Sequence, residues 1–156
     1  MSARHRFFNN QQQITFKLKP SPLCLMQKGL IYMQTWQQQW AYNKYWLMAR
    51  SQQDYNTVRR LARDNHWTAD KQQIFEQILT RAATRQPTHQ TLRTAYEHIW
   101  GYFKKRCTPQ EKQIYRDTLQ QLTPENDLLG PFLKKLAFKY QVSYLQQSRI
   151  IQELAD

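Results

Sequence analysis

His98, Gly101 and Tyr102 sit together in the passage His98-Ile99-Trp100-Gly101-Tyr102-Phe103-Lys104-Lys105-Arg106, and their types suit recognition or proton transfer. A glycine lets a nucleic-acid backbone come close, an imidazole can bond or move a proton, and a phenol can bond or stack. The competing reading is packing, with Gly101 as a close helix–helix contact and His98 as a satisfied buried imidazole. Packing is preferred, because an isolated glycine in a helix costs on the order of 1 kcal/mol and usually has a packing reason. Lys104, Lys105 and Arg106 follow at what reads as a helix C-terminus, where cations offset the negative end of the dipole. Three in a row exceed that need and suit phosphate.

Further cations fall into groups. Lys44 and Arg50 lie in a stretch rich in aromatics, where Tyr42 and Trp46 could stack on unpaired bases. Positions 42, 45 and 46 leave the stripe formed by 36, 40 and 47, so these rings cannot all face one core. A wide apolar face shared by several helices is the preferred explanation, since aromatics dominate core burial. Arg59 and Arg63 are four apart on one ridge, with Arg60 between them, and repel by a few tenths of a kcal/mol unless an anion sits between them. Lys134, Lys135 and Lys139 form a similar ridge. These ten cations are the candidate phosphate contacts, and Tyr42, Trp46, His98 and Tyr102 are candidates for base stacking or a pocket.

Motifs for catalysis are missing from the sequence. The four histidines, His5, His66, His89 and His98, show neither HExxH nor i, i+4 spacing, and there is no GxSxG or P-loop. Cys107 follows Arg106, which would lower a thiol pKa, but no base is at hand. No catalytic residue, metal ligand or cofactor is therefore assigned.

The charge balance is the strongest compositional fact. There are 23 Lys and Arg against 11 Asp and Glu, a net of +12. No acid occurs from Met1 through Gln53, and none from Leu128 to Gln152. Such asymmetry points to a polyanion, because neutralising phosphates releases condensed counterions. No apolar run approaches the roughly 18 residues of a membrane span. Cys24 and Cys107 stand alone in spacing, which favours a reduced cytoplasmic pair.

Helices must position these groups. Three glycines and six prolines argue against an all-β fold. Ile14, Phe16 and Leu18 alternate at a strand period before Lys19-Pro20-Ser21-Pro22 breaks it, so residues 1–32 read as a basic arm, extended or disordered. From Met33 the period is helical, with Met33, Trp36, Trp40 and Leu47 on one stripe to about Arg50. Ser51 caps a second helix with Tyr55, Val58, Leu61 and Ala62 inward, ending near Asn65. Thr68 starts a third, burying Ile74, Phe75, Ile78, Leu79 and Ala82. Thr88 opens a fourth, with Leu92, Ala95, Tyr96, Ile99 and Phe103 inside. Thr108-Pro109-Gln110-Glu111 is a capping box with proline at the first helical position, opening a fifth helix to about Leu122. Helices over about 131–140 and 143–154 complete an all-α bundle of six to seven short helices across 33–156.

Two passages resemble the YbgA family of bacterial domains. The first is Trp40-Ala41-Tyr42-Asn43-Lys44-Tyr45-Trp46-Leu47-Met48-Ala49-Arg50-Ser51 with Tyr55 beyond it, similar to the family's pattern of Lys, four apolar or aromatic residues, Ala, a basic residue or His, Ser, and Tyr. The second is His98 to Lys105 leading to Thr108 and Glu111-Lys112, similar to its His-x-x-Gly-Tyr-Phe-Lys passage. Pro131 with Leu133 and Tyr144-Leu145 are weaker matches, and the likeness covers about 34–151. The family's domain also occurs fused to TudS-type desulfidase domains linked to thiouridine in tRNA. The resemblance thus implies an RNA-facing accessory domain, with tRNA as partner and any sulfur chemistry supplied by a separate desulfidase, since this chain lacks the cysteine set for an iron–sulfur cluster. Family members often carry His where Arg50 stands, another His near 40–43, and Gln where Ser148 lies.

The leading expectation is a non-catalytic RNA-binding domain. An enzyme acting on a modified nucleobase would need a concave pocket holding His98 and Tyr102. An adaptor for a desulfidase or repair enzyme would show an exposed aromatic patch around Trp46.

Overall fold

The computed structural model describes residues 29–155, with side chains from Trp36 onward. The strand-like passage 14–18 and the rest of the arm up to residue 28 lie outside the described residues. Those described form α1 (Gly29–Arg50), α2 (Gln52–Leu61), α3 (Ala69–Ala83), α4 (His89–Trp100), α5 (Pro109–Gln120), α6 (Leu129–Lys139), α7 (Ser143–Gln146) and α8 (Arg149–Glu153), with no strand among them. The first helix therefore opens four residues before the predicted start at Met33.

Local chemistry sets most helix starts. Ser51, Thr68, Thr88 and Thr108 are extended, and each hydroxyl accepts from the backbone N–H three residues on. That satisfies one of the donors a helix leaves unpaired. Thr88 and Thr108 complete reciprocal boxes with Thr91 and Glu111. Asn65 (φ 53°) and Gln141 (φ 52°) turn the chain in the left-handed region, Gln141 between α6 and α7.

The fold is built around α1, which packs most extensively on α4 and also meets α2, α3 and α8. Its last turns are consequently surrounded, and Tyr45, Trp46, Leu47, Met48 and Ala49 are all buried in succession. A single amphipathic stripe describes only a helix with one covered side. The five positions predicted for the inner face of the fourth helix are all buried, four on α4 and Phe103 in the turn that follows it. In α3, however, Ile74 is exposed and Gln72 takes the inward place beside Phe75, Ile78 and Ala82. Gln72 is satisfied there, accepting from the Trp67 indole at 2.9 Å and donating to Glu76 at 2.7 Å. The predicted last helix is two, α7 and α8, broken at buried Ser148, whose hydroxyl donates to Leu145 O at 2.6 Å. The bundle thus has eight helices among the described residues rather than six or seven.

Two buried carboxylates tie elements together. Asp54 on α2 meets Arg81 and Arg85 at the end of α3, and Arg85 also donates to Ser51 Oγ at 3.0 Å. Glu111 caps α5, accepting from Thr108 N at 2.9 Å, and takes Lys139 Nζ at 2.6 Å and the Tyr140 hydroxyl at 2.7 Å. These donors, Lys139 first, hold its carboxyl at about 2 against an ordinary 4.5. A carboxylate lowered on folding contributes stability above its unfolded value and loses it as pH falls toward the folded one. Urea midpoints measured against pH should therefore fall more steeply between 4.5 and 2 in the native chain than in Glu111→Gln; parallel curves would refute the coupling.

Candidate functional site

The ten candidate cations divide by what they already touch. Lys139 is paired with Glu111, and Lys134 donates to Leu154 O at 2.8 Å. Arg106 donates to Tyr140 O at 3.1 Å and lies over that ring at 4.9 Å. Arg50 is 3.8 Å from Glu153 and 4.0 Å from the centroid of the Trp46 ring. These four are engaged in holding the fold. Lys44, Arg59, Arg63, Lys104, Lys105 and Lys135 meet no carboxylate among the described residues, and all but half-buried Lys44 are exposed.

Lys44 and Arg59 stand out within that second set. Burial lowers the Lys44 pKa, and the Arg59 charge across the α1–α2 contact lowers it further. Arg59 also shares a cleft with Gln53, Asn56 and Arg60 of α2 and with Arg63 just beyond its end.

Aromatic side chains continue from Lys44, whose ammonium is 5.3 Å from the Tyr45 ring centroid. The Tyr45 and Tyr102 hydroxyls are 3.1 Å apart. Tyr102 stacks on Tyr144 with centroids 6.0 Å apart and planes 16° apart, and Tyr45 meets both rings edge-on. Burial pushes Tyr144 up to about 12, and burial together with the Tyr102 bond also pushes Tyr45 up, so these two stay neutral phenols near pH 7. Tyr102 is 39% exposed and leads directly to Lys104 and Lys105. A partly exposed ring stack with a cation beside it can take an unpaired base.

The packing reading of His98 and Gly101 is corrected. Both are exposed. A Cβ on Gly101 would meet only the carbonyl of His98, 3.0 Å away on its own helix, so no second helix demands the glycine. His98 and Tyr102 line none of the described clefts. Tyr42 is 40% exposed on α1. Trp46 is corrected in the other direction, being 1% exposed, so no exposed aromatic patch surrounds it. Its indole N–H donates to Glu153 at 2.8 Å, and Arg149 lies 3.6 Å from its ring centroid.

Tyr45 and Tyr144 were absent from the sequence candidates. Tyr45 looked like one aromatic among many, and Tyr144 reaches the site only through the packing of α7. Among the described residues no three His, Cys, Asp or Glu side chains form a metal-binding group. No described helix is long and apolar enough to cross a membrane. Cys107 is buried, which raises its thiol pKa, and Glu111 raises it further.

Residues 44–154 match the model of a family described as a protein of unknown function (DUF1722). No curated protein and no solved structure matches the chain.

Proposed function

The chain belongs to that DUF1722 family, and we propose that it is a non-catalytic RNA-binding domain whose target is tRNA. The observation that carries this reading is the partly exposed Tyr102–Tyr144 stack, with Tyr45 edge-on to both rings and the Lys44 ammonium 5.3 Å from the Tyr45 ring centroid. The Arg59 charge opposes protonation of Lys44, and a phosphate bound near either cation would offset that repulsion. The net charge of +12 supplies attraction at longer range. Stacking on Tyr102 favours unpaired bases over a duplex, which supports RNA rather than double-stranded DNA. The YbgA-type passages contribute Lys44 and Tyr102, so the resemblance and the geometry converge on the same surface. That resemblance also supports a place beside tRNA thiouridine metabolism in the cytoplasm, with a separate desulfidase performing the chemistry.

The test is a titration of the protein with bulk tRNA and with a matched DNA duplex at several salt concentrations. Submicromolar tRNA binding, weaker DNA binding and a log–log salt slope of about −0.7 to −0.9 per phosphate are expected. No tRNA binding at low salt would overturn the reading.

A further inference from the structure

A base stacked on Tyr102 can belong to RNA or to single-stranded DNA alike, since every base offers a π face. The feature that tells the two strands apart is the ribose 2′-hydroxyl, which both donates and accepts. Groups suited to that hydroxyl and to the phosphates beside it line the cleft on α2. This cleft has a volume of about 880 Å³ and is bounded by Gln53, Asn56, Arg59, Arg60 and Arg63.

Positions 53, 56, 60 and 63 fall at i, i+3, i+7 and i+10, a spacing that keeps them on one ridge, with Arg59 alongside. Two amides therefore occupy the N-terminal half of the cleft and three guanidinium groups the C-terminal half. No carboxylate among the described residues lines it. Asp54, next to Gln53 in sequence, is buried against Arg81 and Arg85. Asp64, next to Arg63, accepts from Lys71 Nζ at 2.8 Å and from His66 N at 3.1 Å. Within the cleft, Arg60 donates to Thr57 Oγ1 at 3.3 Å and Asn56 Oδ1 accepts from Gln52 Nε2 at 3.2 Å. The Gln53 amide and the Arg59 and Arg63 guanidinium groups have no hydrogen-bond partner among the described residues.

We propose that this cleft holds the ribose–phosphate backbone of an unpaired RNA strand and sets a preference for RNA over DNA. The planar forks of the arginines match phosphate oxygens and take successive phosphates of the strand. Three guanidinium groups exceed the single charge of one phosphodiester, and the cleft is larger than one phosphate requires. The Gln53 and Asn56 amides carry donors and acceptors without charge, which suits a hydroxyl that does both. A deoxyribose offers these amides nothing, so they distinguish the sugars while the arginines do not. The proposal rests on the RNA reading above and adds the sugar as the feature recognised. An acidic peptide would also satisfy the arginines, and it enters the test as a competitor.

The test compares a single-stranded RNA, the DNA strand of the same sequence and its 2′-O-methyl RNA, by fluorescence anisotropy on the full chain. The RNA should bind about 5-fold or more tightly than the DNA, as one or two hydrogen bonds supply. The 2′-O-methyl strand has lost the hydroxyl donor and should fall toward the DNA. A double variant, Gln53→Ala with Asn56→Ala, changes two exposed positions that carry no packing. It should bring RNA and DNA to within about 2-fold of each other while leaving the DNA affinity unchanged. Arg63→Gln should weaken both strands alike and reduce the log–log salt slope by about 0.7, the single-strand value for one phosphate contact. The proposal is overturned if the native chain binds RNA and DNA equally, if the double variant keeps the preference, or if Arg63→Gln leaves the slope unchanged. Displacement of the RNA by poly-glutamate as effectively as by unlabelled RNA would also overturn it, assigning the cleft to an acidic protein segment. The tRNA titration is judged apart. Binding of tRNA without a preference for RNA strands removes only the role of the cleft, whereas no tRNA binding at low salt removes the reading beneath it as well.

Discussion

Arg59→Glu should weaken tRNA binding by between about 10- and 100-fold, the range spanned by one charge-assisted hydrogen bond lost and replaced by repulsion. The same substitution should leave the fold slightly more stable. In the native chain the Arg59 charge opposes protonation of half-buried Lys44. A carboxylate at that position would favour the ammonium instead, a gain limited to a few tenths of a kcal/mol by solvent screening. Binding and stability should thus move in opposite directions, which is the signature of a cation kept for a ligand rather than for folding. Filter binding at about 0.1 M salt measures the first effect and urea denaturation the second. Unchanged tRNA affinity would remove the Lys44–Arg59 pair from the interface. The contrasting substitution is Arg81→Glu, because Arg81 is paired with buried Asp54 and its loss should cost stability.

The elements were legible because their signals are local. A threonine before proline with glutamate two residues further on fixes the start of α5 wherever the chain is placed. The inner face of α4 follows from a helix covered on one side only. What could not be read depends on neighbours distant in sequence. Trp46 carries no mark showing that Arg149 and Glu153, more than a hundred residues later, will enclose it. The ridge of Lys134, Lys135 and Lys139 looked uniform, yet Lys139 meets Glu111 through a contact between α5 and α6. Arg106 differs from Lys104 and Lys105 for the same reason, since Tyr140 arrives beside it from the end of α6. Pattern identifies which residues are cations; only packing separates those that are occupied from those left for a ligand. His98 shows the converse, because a lone histidine beside an apolar face was read as buried and is exposed.

Trp46→Ala should cost about 3–5 kcal/mol, the usual range for removing a large aromatic from a core. Typical domains have only about 5–15 kcal/mol in total, so the variant should be partly unfolded at modest urea. The argument is stronger than burial alone. The indole is 1% exposed at the crowded end of α1, and its N–H is one of the contacts joining that helix to α8. Arg50 and Arg149 both lie over its ring, and burial followed by the Arg149 charge lowers the Arg50 pKa even against the opposing pull of Glu153. Removing the ring takes away an attractive π surface from two cations that repel each other. Trp46→Phe keeps a ring and gives up only the bond to Glu153, so its cost should be nearer 1 kcal/mol. Urea melts followed by far-UV circular dichroism separate the two variants without interference from the other tryptophans. Equal losses would mean that the indole bond, not the ring beneath the two guanidinium groups, couples α1 to α8. A loss under about 1 kcal/mol in Trp46→Ala would mean that the end of α1 contributes little to the bundle. In the expected case Trp46→Phe should bind tRNA with native affinity, because Lys44, Arg59 and Tyr102 lie outside the contacts that the indole makes.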